Sequence, residues 1–247
     1  MCIFMALKND EYMFFDLFKS KVALKDCGVF DNYTEWHCHL LPGVDDGVQK
    51  MEESLKLLAL YEKLGVKEVW FTPHIMEDVP NEPAKLKMRL AELQAQYQGG
   101  IRLHLAAENM MDNLFEKRLA DGNVLPLGEE QDHLLVETSY FNPPMGLYDI
   151  LRRVQSKGYF PVLAHPERYQ YMREEDYKKL KDMGVKFQLN VFSLVGAYGP
   201  TVQKKALIFL KKSYYDFRGT DTHRYSQFRY FIEKKITKDT QRRLLDI

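Results

Sequence analysis

The sequence predicts an α/β fold on a parallel sheet. Its length and repeat number suit a seven-stranded (β/α)7 TIM-like barrel, with an open doubly wound sheet as the competitor. Three observations carry this. Strand-like and helix-like segments alternate about seven times, with no linker or low-complexity tract between them. Helical stretches end at glycine and an apolar run follows at once: Leu64-Gly65-Val66, Gly99-Gly100-Ile101, Lys157-Gly158-Tyr159 and Met183-Gly184-Val185. Glycine supplies the left-handed cap that a short helix-to-strand loop needs. Finally, histidines and carboxylates recur where the apolar runs end.

Taken in order, residues 1–33 read as an irregular or helical lead-in without identifiable chemistry, and 34–247 as the barrel. Strands are predicted at 34–37, 67–71, 101–106, 133–137, 160–164, 185–190 and 214–219. The helix over 50–64 has a broad apolar face that includes Leu55, Leu57, Leu58, Tyr61 and Leu64. In the helix over 83–98, Pro83 opens the first turn, and Leu86, Leu90, Leu93 and Tyr97 form one stripe. Further helices are expected near 112–120, 145–157, 174–183, 200–211 and 238–246. No G-x-G-x-x-G or Walker loop follows any strand, which weakens the nucleotide-binding version of the open sheet.

Bulk properties exclude several classes. The 247 residues carry 35 basic and 35 acidic side chains, so no global field attracts nucleic acid or an anionic membrane. With 45% apolar residues and 15 each of Phe and Tyr, the chain can bury a large core. Three cysteines (Cys2, Cys27, Cys38), none in a C-x-x-C pair, fit a reducing, cytoplasmic compartment. The N-terminus reads as lacking a signal peptide, and no apolar run approaches the ~20 residues of a membrane span. The aromatic stretch Tyr12 to Phe18 reads as packing on the barrel exterior.

The chemistry begins at Trp36-His37-Cys38-His39. Histidines two apart on a strand share a face, which suits a divalent cation, while Cys38 points the other way. Alone, the pair also fits two histidines bonded to nearby carbonyls. Asp46 follows on a Gly-flanked loop. His74 ends the second predicted strand, Glu108 the third, Glu137 the fourth and His165 the fifth; Asp221 and His223 follow the seventh. In a β/α barrel the carboxyl ends of all strands meet on one face. Chance loop starts explain one or two such residues, not six of seven strand ends. Nine candidate ligands exceed the needs of one ion and suit three. Mixed imidazole and carboxylate without thiolate favours Mn²⁺, Fe²⁺ or Zn²⁺. His104 and His133 fall inside or at the start of strands and read as packing residues.

These residues lie in recognisable motifs: 37–47 (HCHLLPGVDDG), 52–55 (EESL), 72–76 (TPHIM), 106–108 (AAE), 137–139 (ETS), 164–169 (AHPERY), 187–190 (FQLN) and 219–223 (GTDTH). Together they resemble the polymerase-and-histidinol-phosphatase superfamily. Within it, they resemble the bacterial metal-dependent protein-tyrosine phosphatases of capsular and exopolysaccharide operons, from about residue 34 to the end. The resemblance implies a distorted seven-stranded barrel with three cations, Mn²⁺ first and Fe²⁺, Zn²⁺ or Mg²⁺ as alternatives. One would be held by His37, His39, Glu108 and Asp221. A second would be held by Glu108, Glu137 and His165, and the third by Asp46, His74 and His223. Departures are Trp36, where relatives commonly carry a small or aliphatic residue, Asn109, where they often carry an aromatic, and the longer lead-in. None removes a ligand.

The activity so implied is hydrolysis of phosphotyrosine by metal-activated hydroxide, without a covalent enzyme intermediate. The partner would be the tyrosine-rich tail of a bacterial tyrosine kinase. The cysteine-based alternative needs an arginine six positions after the nucleophile, where Lys8, Tyr33 and Val44 stand. Arg168 can reach a phosphate oxygen in bidentate fashion, with Arg224 a second candidate and Arg229 a weaker one. Tyr140, in a loop at the catalytic face, could flank the substrate ring. Rival readings are a small-molecule phosphoesterase such as histidinol-phosphate phosphatase, an amidohydrolase, and a non-catalytic phosphotyrosine-binding scaffold. The amidohydrolase reading lacks the strand-end lysine that would stand where Glu137 does. Lys234, Lys235, Lys238, Arg242 and Arg243 read as a basic C-terminal helix with a solvated face.

Overall fold

Short loops carrying Gly65, Gly158 and Gly184 return the chain from three helices straight into the next strand, and the strands so joined pair in parallel. The computed structural model describes residues 20–247; Cys2 and the stretch from Tyr12 to Phe18 lie outside the described residues. The strands are β1 (Lys21–Ala23), β2 (Thr34–Cys38), β3 (Glu68–Phe71), β4 (His74–Ile75), β5 (Arg102–Leu105), β6 (Glu108–Met110), β7 (His133–Glu137), β8 (Phe160–Ala164), β9 (Lys186–Asn190), β10 (Phe217–Gly219) and β11 (Lys235–Thr237). The helices are α1 (Met51–Leu64), α2 (Pro83–Gln96), α3 (Asn113–Asp121), α4 (Leu147–Ser156), α5 (Glu174–Asp182), α6 (Pro200–Lys211), α7 (Tyr225–Ile232) and α8 (Lys238–Leu245).

This is a mixed α/β fold whose parallel sheet forms a half-barrel. One sheet runs β2-β3-β5 and a second runs β10-β9-β8-β7-β6-β4. Beyond the second and third predicted strands the chain breaks, at Thr72-Pro73 and at Ala106-Ala107, and resumes as a further short strand each time, so β3 pairs β5 in one sheet while β4 pairs β6 in the other. Proline has no N–H for the ladder, so a strand interrupted at Pro73 is the expected local outcome. Between β2 and the segment after β10, Asp221 N donates to His37 O at 2.8 Å and His39 N to Thr222 O at 2.9 Å.

The strand interiors explain why the sequence reads as continuous apolar runs. Leu134, Leu135 and Val136 of β7 and Val162, Leu163 and Ala164 of β8 are buried on both faces, as parallel strands covered by helices must be. Leu86 and Leu93 of α2 are buried, and Leu90 and Tyr97 pack partly buried against the same core. Gly65 caps α1 with φ of 103°. Cys38 is buried in the apolar core, facing away from its histidine neighbours as alternation requires. His104 stacks on Trp70 at 4.5 Å, and His133 packs on Phe160 and Phe217; both are packing residues.

Three elements differ from the sequence reading. Residues 20–33 contain β1, which pairs antiparallel with β11, and place Leu24, Cys27, Val29 and Phe30 in the main core. Helix α7 was not foreseen; its run Tyr225-Ser226-Gln227-Phe228-Arg229-Tyr230-Phe231-Ile232 is aromatic and β-branched in composition, and burial of Phe228 and Ile232 imposes the helix. The C-terminal basic helix begins at Lys238, since Lys235 lies in β11, and Arg242 and Arg243 both pair with Asp239. No helix among the described residues is long and apolar enough to cross a membrane.

Gly219 marks where β10 meets β2. A Cβ there would lie 2.5 Å from His37 Cβ and 2.9 Å from His37 N. Gly219→Ala is therefore expected to overpack this junction and destabilise the fold by about 1–3 kcal/mol. A urea midpoint equal to wild type, at unchanged slope, would contradict it.

Candidate metal centre

The carboxyl ends of β2, β7 and β8, the starts of β4 and β6, the loop after β2 and the segment after β10 deliver the nine side chains picked out in the sequence. All nine fall into four groups whose ligand atoms lie within 4.8 Å of one another. These are His37-His39-Asp221, His37-Glu108-His165, His74-Glu108-Glu137 and His39-Asp46-His74-His223. The sets are linked more tightly than the resemblance implied. His74 turns Nδ1 toward Glu108 and Glu137, at 3.1 Å each, and Nε2 toward Asp46 at 3.6 Å.

Second partners fix which nitrogen each ring offers. His37 Nδ1 lies 2.8 Å from Gln188 Oε1, His39 Nδ1 2.8 Å from Asp45 Oδ2, and His223 Nδ1 2.9 Å from the Asp221 carbonyl. Each acceptor takes the Nδ1 proton, which leaves the neutral ring's Nε2 lone pair pointing inward. There the Nε2 atoms of His37 and His39 are 3.2 Å apart and lie 3.2 and 3.3 Å from Glu108 Oε2. Glu108 Oε2, Glu137 Oε1 and Nδ1 of His74 are buried with no hydrogen-bond partner. Donor atoms around a cation with bonds of about 2.0–2.2 Å stand about 3.0–3.5 Å apart. The spacing, the inward lone pairs and the orphaned oxygens all fit divalent cations held by these residues.

In their absence the carboxylates favour the protonated ring at His37, His39 and His74. Burial and the neighbouring His39 pull His74 down, but the Glu108 and Glu137 carboxylates outweigh both and carry it to about 10. Burial also opposes protonation of His37 and His39; the surrounding carboxylates outweigh it and raise both. Burial pushes Glu108 and Asp221 up, yet the imidazoles, with Arg168 beside Asp221, hold both well below the usual carboxylate range. Asp46 is held at about 2, chiefly by its bond to His223.

Two of these residues have backbones in the left-handed region, His165 at φ 33° and Asp221 at φ 52°. Such conformations cost roughly 1–3 kcal/mol and persist only where surrounding structure enforces them. One enforcing group is Glu35, buried between β2 and the Asp221 loop. Its Oε1 accepts from His37 N at 3.1 Å and from Thr220 N at 2.8 Å, and burial pushes its carboxyl up to about 7.

The cluster floors a cavity of about 660 Å³ whose wall includes Tyr140, Arg168, Tyr198, Arg224 and Tyr230. Arg168 Nη1 donates to Asp221 Oδ2 at 2.9 Å. Arg224 and Tyr140, both expected from the sequence, stand in the wall; Arg229 does not, and lies 5.8 Å over the Tyr225 ring. Sequence reasoning missed Asp45, Gln188, Glu35 and Tyr198. Asp45 adjoins the expected Asp46, and Gln188 stands in the FQLN motif, so both had a signal in hand.

The family described as capsular polysaccharide synthesis, CpsB/CapC, matches residues 33–245. The chain belongs to this family. Its relatives include the tyrosine-protein phosphatase YwqE of Bacillus subtilis, 28% identical over 193 residues and 76% of each chain. Another is the tyrosine-protein phosphatase CpsB of Streptococcus pneumoniae, 26% identical over 203 residues, 76% of this chain and 81% of that one. A solved structure from work describing YwqE and CpsB as metal-dependent tyrosine phosphatases superposes with a TM-score of 0.73 at 24% identity. It covers 87% of this chain and 92% of that one.

Because the carboxylates carry His74 to about 10, a cation binding its ring at neutral pH must displace a proton. Loading Mn²⁺ at pH 7 is expected to release protons, and Mn²⁺ affinity to fall as pH drops. Calorimetry in two buffers of different ionisation enthalpy reads this directly; a buffer-independent heat would contradict it.

Proposed function

We propose that this chain is a metal-dependent protein-tyrosine phosphatase. The observation that carries the reading is the set of inward Nε2 lone pairs facing buried, unpaired carboxylate oxygens beside Arg168. Membership of the CpsB/CapC family and the printed activities of its relatives support the same reaction. One cation would be held by His37, His39, Glu108 and Asp221, a second by Glu108, Glu137 and His165, and a third by Asp46, His74 and His223. Mn²⁺ is the first choice, with Fe²⁺, Zn²⁺ and Mg²⁺ as alternatives. When bound, such ions supply Lewis-acid charge for phosphate oxygens and lower the pKa of water.

The chain's own residues do the rest. Arg168 binds a phosphate oxygen and steadies charge that spreads in the transition state. Arg224 adds a second cation at the cavity wall, and Tyr140 flanks the substrate ring. Asp45 and Gln188 hold the first-strand imidazoles in the tautomer that ligation needs. A phenolate leaves with a pKa of about 10, so protonating it helps less than for an alkyl ester, and no side chain is assigned that task.

The substrate would be the phosphorylated tail of a bacterial tyrosine kinase that governs capsular or exopolysaccharide synthesis, met in the cytoplasm. The unit responsible would be residues 34–247, with 1–33 as a lead-in that β1 staples to β11. The breaks beyond the second and third predicted strands, and the bonds from the first strand to the Asp221 loop, support reading the parallel sheets as a distorted seven-stranded barrel.

The test is turnover of a phosphotyrosine peptide against histidinol phosphate across Mn²⁺, Fe²⁺, Zn²⁺ and Mg²⁺. Preference for the peptide is expected; preference for histidinol phosphate would move the reading to a small-molecule phosphoesterase. Binding of the peptide without turnover under every metal would leave a scaffold. His165→Ala and Asp221→Ala are expected to abolish turnover while leaving the chain folded by circular dichroism. Arg168→Ala is expected to lower kcat/KM by about 1.5–3 kcal/mol, as for a charge-assisted hydrogen bond. Wild-type kcat/KM in that variant would remove Arg168 from the site.

A further inference from the structure

The guanidinium of Arg168 lies over two aromatic rings. Its Cζ lies 4.3 Å from the ring centroid of Tyr140 and 4.2 Å from that of Tyr198. A planar cation against two aromatic rings keeps its in-plane N–H groups but loses freedom to tilt. Asp221 Oδ2 then fixes its position within that plane.

Tyr198 is itself anchored. Its hydroxyl donates to Asp221 Oδ2 at 3.2 Å and accepts from Asn190 Nδ2 at 2.9 Å. Asn190 Nδ2 lies 3.0 Å from the same Oδ2. That oxygen thus receives Arg168, Asn190 and Tyr198, while Oδ1 faces the Nε2 atoms of His37 and His39 at 3.6 and 3.3 Å. The anchor places the ring where the arginine needs it. Arg168 and Tyr198 also stand in the walls of both the main cavity and a neighbouring one of about 510 Å³. Removing the ring would therefore let water reach the guanidinium from behind.

We propose that Tyr198 is a positioning residue for phosphate recognition, its anchored ring clamping Arg168 against Tyr140 so that the free N–H groups point into the cavity. The proposal rests on the reading of the cavity as a phosphomonoester site. Wild-type turnover of phosphotyrosine with Mn²⁺ tests that reading separately, and its absence would overturn the reading alone.

The clamp is tested with inorganic phosphate, titrated by calorimetry into Mn²⁺-loaded wild type, Tyr198→Phe, Tyr198→Ala, Arg168→Ala and the double variant Arg168→Ala/Tyr198→Ala. Tyr198→Ala is expected to weaken phosphate about tenfold, the scale of a desolvated cation–aromatic contact. Tyr198→Phe keeps the ring and is expected to stay within about threefold. The double variant is expected to bind no worse than Arg168→Ala, because the tyrosine acts through the arginine. Unchanged phosphate affinity in Tyr198→Ala, or an additive loss in the double variant, overturns the clamp. A second readout needs no metal. The Arg168 Nε–H proton signal, shifted upfield by the two rings in wild type, is expected to move back in Tyr198→Ala and to hold in Tyr198→Phe. A signal that stays in place in Tyr198→Ala overturns the proposal. If Tyr198→Ala does not fold, Tyr198→Leu, which fills space without an aromatic face, takes its place in both measurements.

Discussion

One carboxylate oxygen, Glu108 Oε2, lies between 3.1 and 3.3 Å from ring nitrogens of His37, His39 and His74 and has no hydrogen-bond partner. An anion so buried is costly unless positive charge meets it. Protons on the imidazoles or divalent cations are the two ways this chain can supply that charge. Everything nearby is arranged around the choice. The acceptors at the outer nitrogens of His37, His39 and His223 aim three rings inward, and Arg168 neutralises the far oxygen of Asp221. A cluster built this way is poised for cations, because the donor atoms already sit at the spacing a cation needs.

The scaffold keeps those atoms in place through a second layer of buried polar groups. Glu35 bonds the backbone of the first strand to that of the Asp221 loop, and Tyr61 and Thr220 extend the same network at 2.9 Å. Gly219 lets the two segments approach closer than any side chain would permit. The left-handed backbones of His165 and Asp221 turn their side chains off the strand direction and into the cluster. Side chains gathered from so many strand ends require each of these supports, since a shift of about 1 Å at one residue spoils a shared site.

Much of this was readable from the chain because the fold converts a linear rule into a spatial one. An apolar run that ends in His, Glu or Asp places that residue at a strand's carboxyl end, and parallel strands bring those ends together. Eight of the nine candidate ligands needed nothing more; Asp46 stands on the loop that follows the strand of His37. Tyr198 had no such rule: it follows a 3₁₀ turn, Val191–Val195, and meets Arg168 only through packing. Asp45 and Asp46 are adjacent acids on one loop, and only the loop's path decides that the first orients His39 while the second faces the cavity. The β1–β11 pair was equally silent, being two three-residue strands from opposite ends of the described chain.

Periodicity, glycine caps and the residue types at strand ends therefore determined the class of fold and the identity of the candidate metal-binding side chains, because both follow from local pattern. The tertiary structure alone decided which nitrogen each imidazole presents, how the nine groups interlock, where the chain breaks beyond the second and third predicted strands, and which ring clamps the arginine. Those outcomes depend on distances between segments far apart in the sequence, and such distances are set by packing, which no local pattern records.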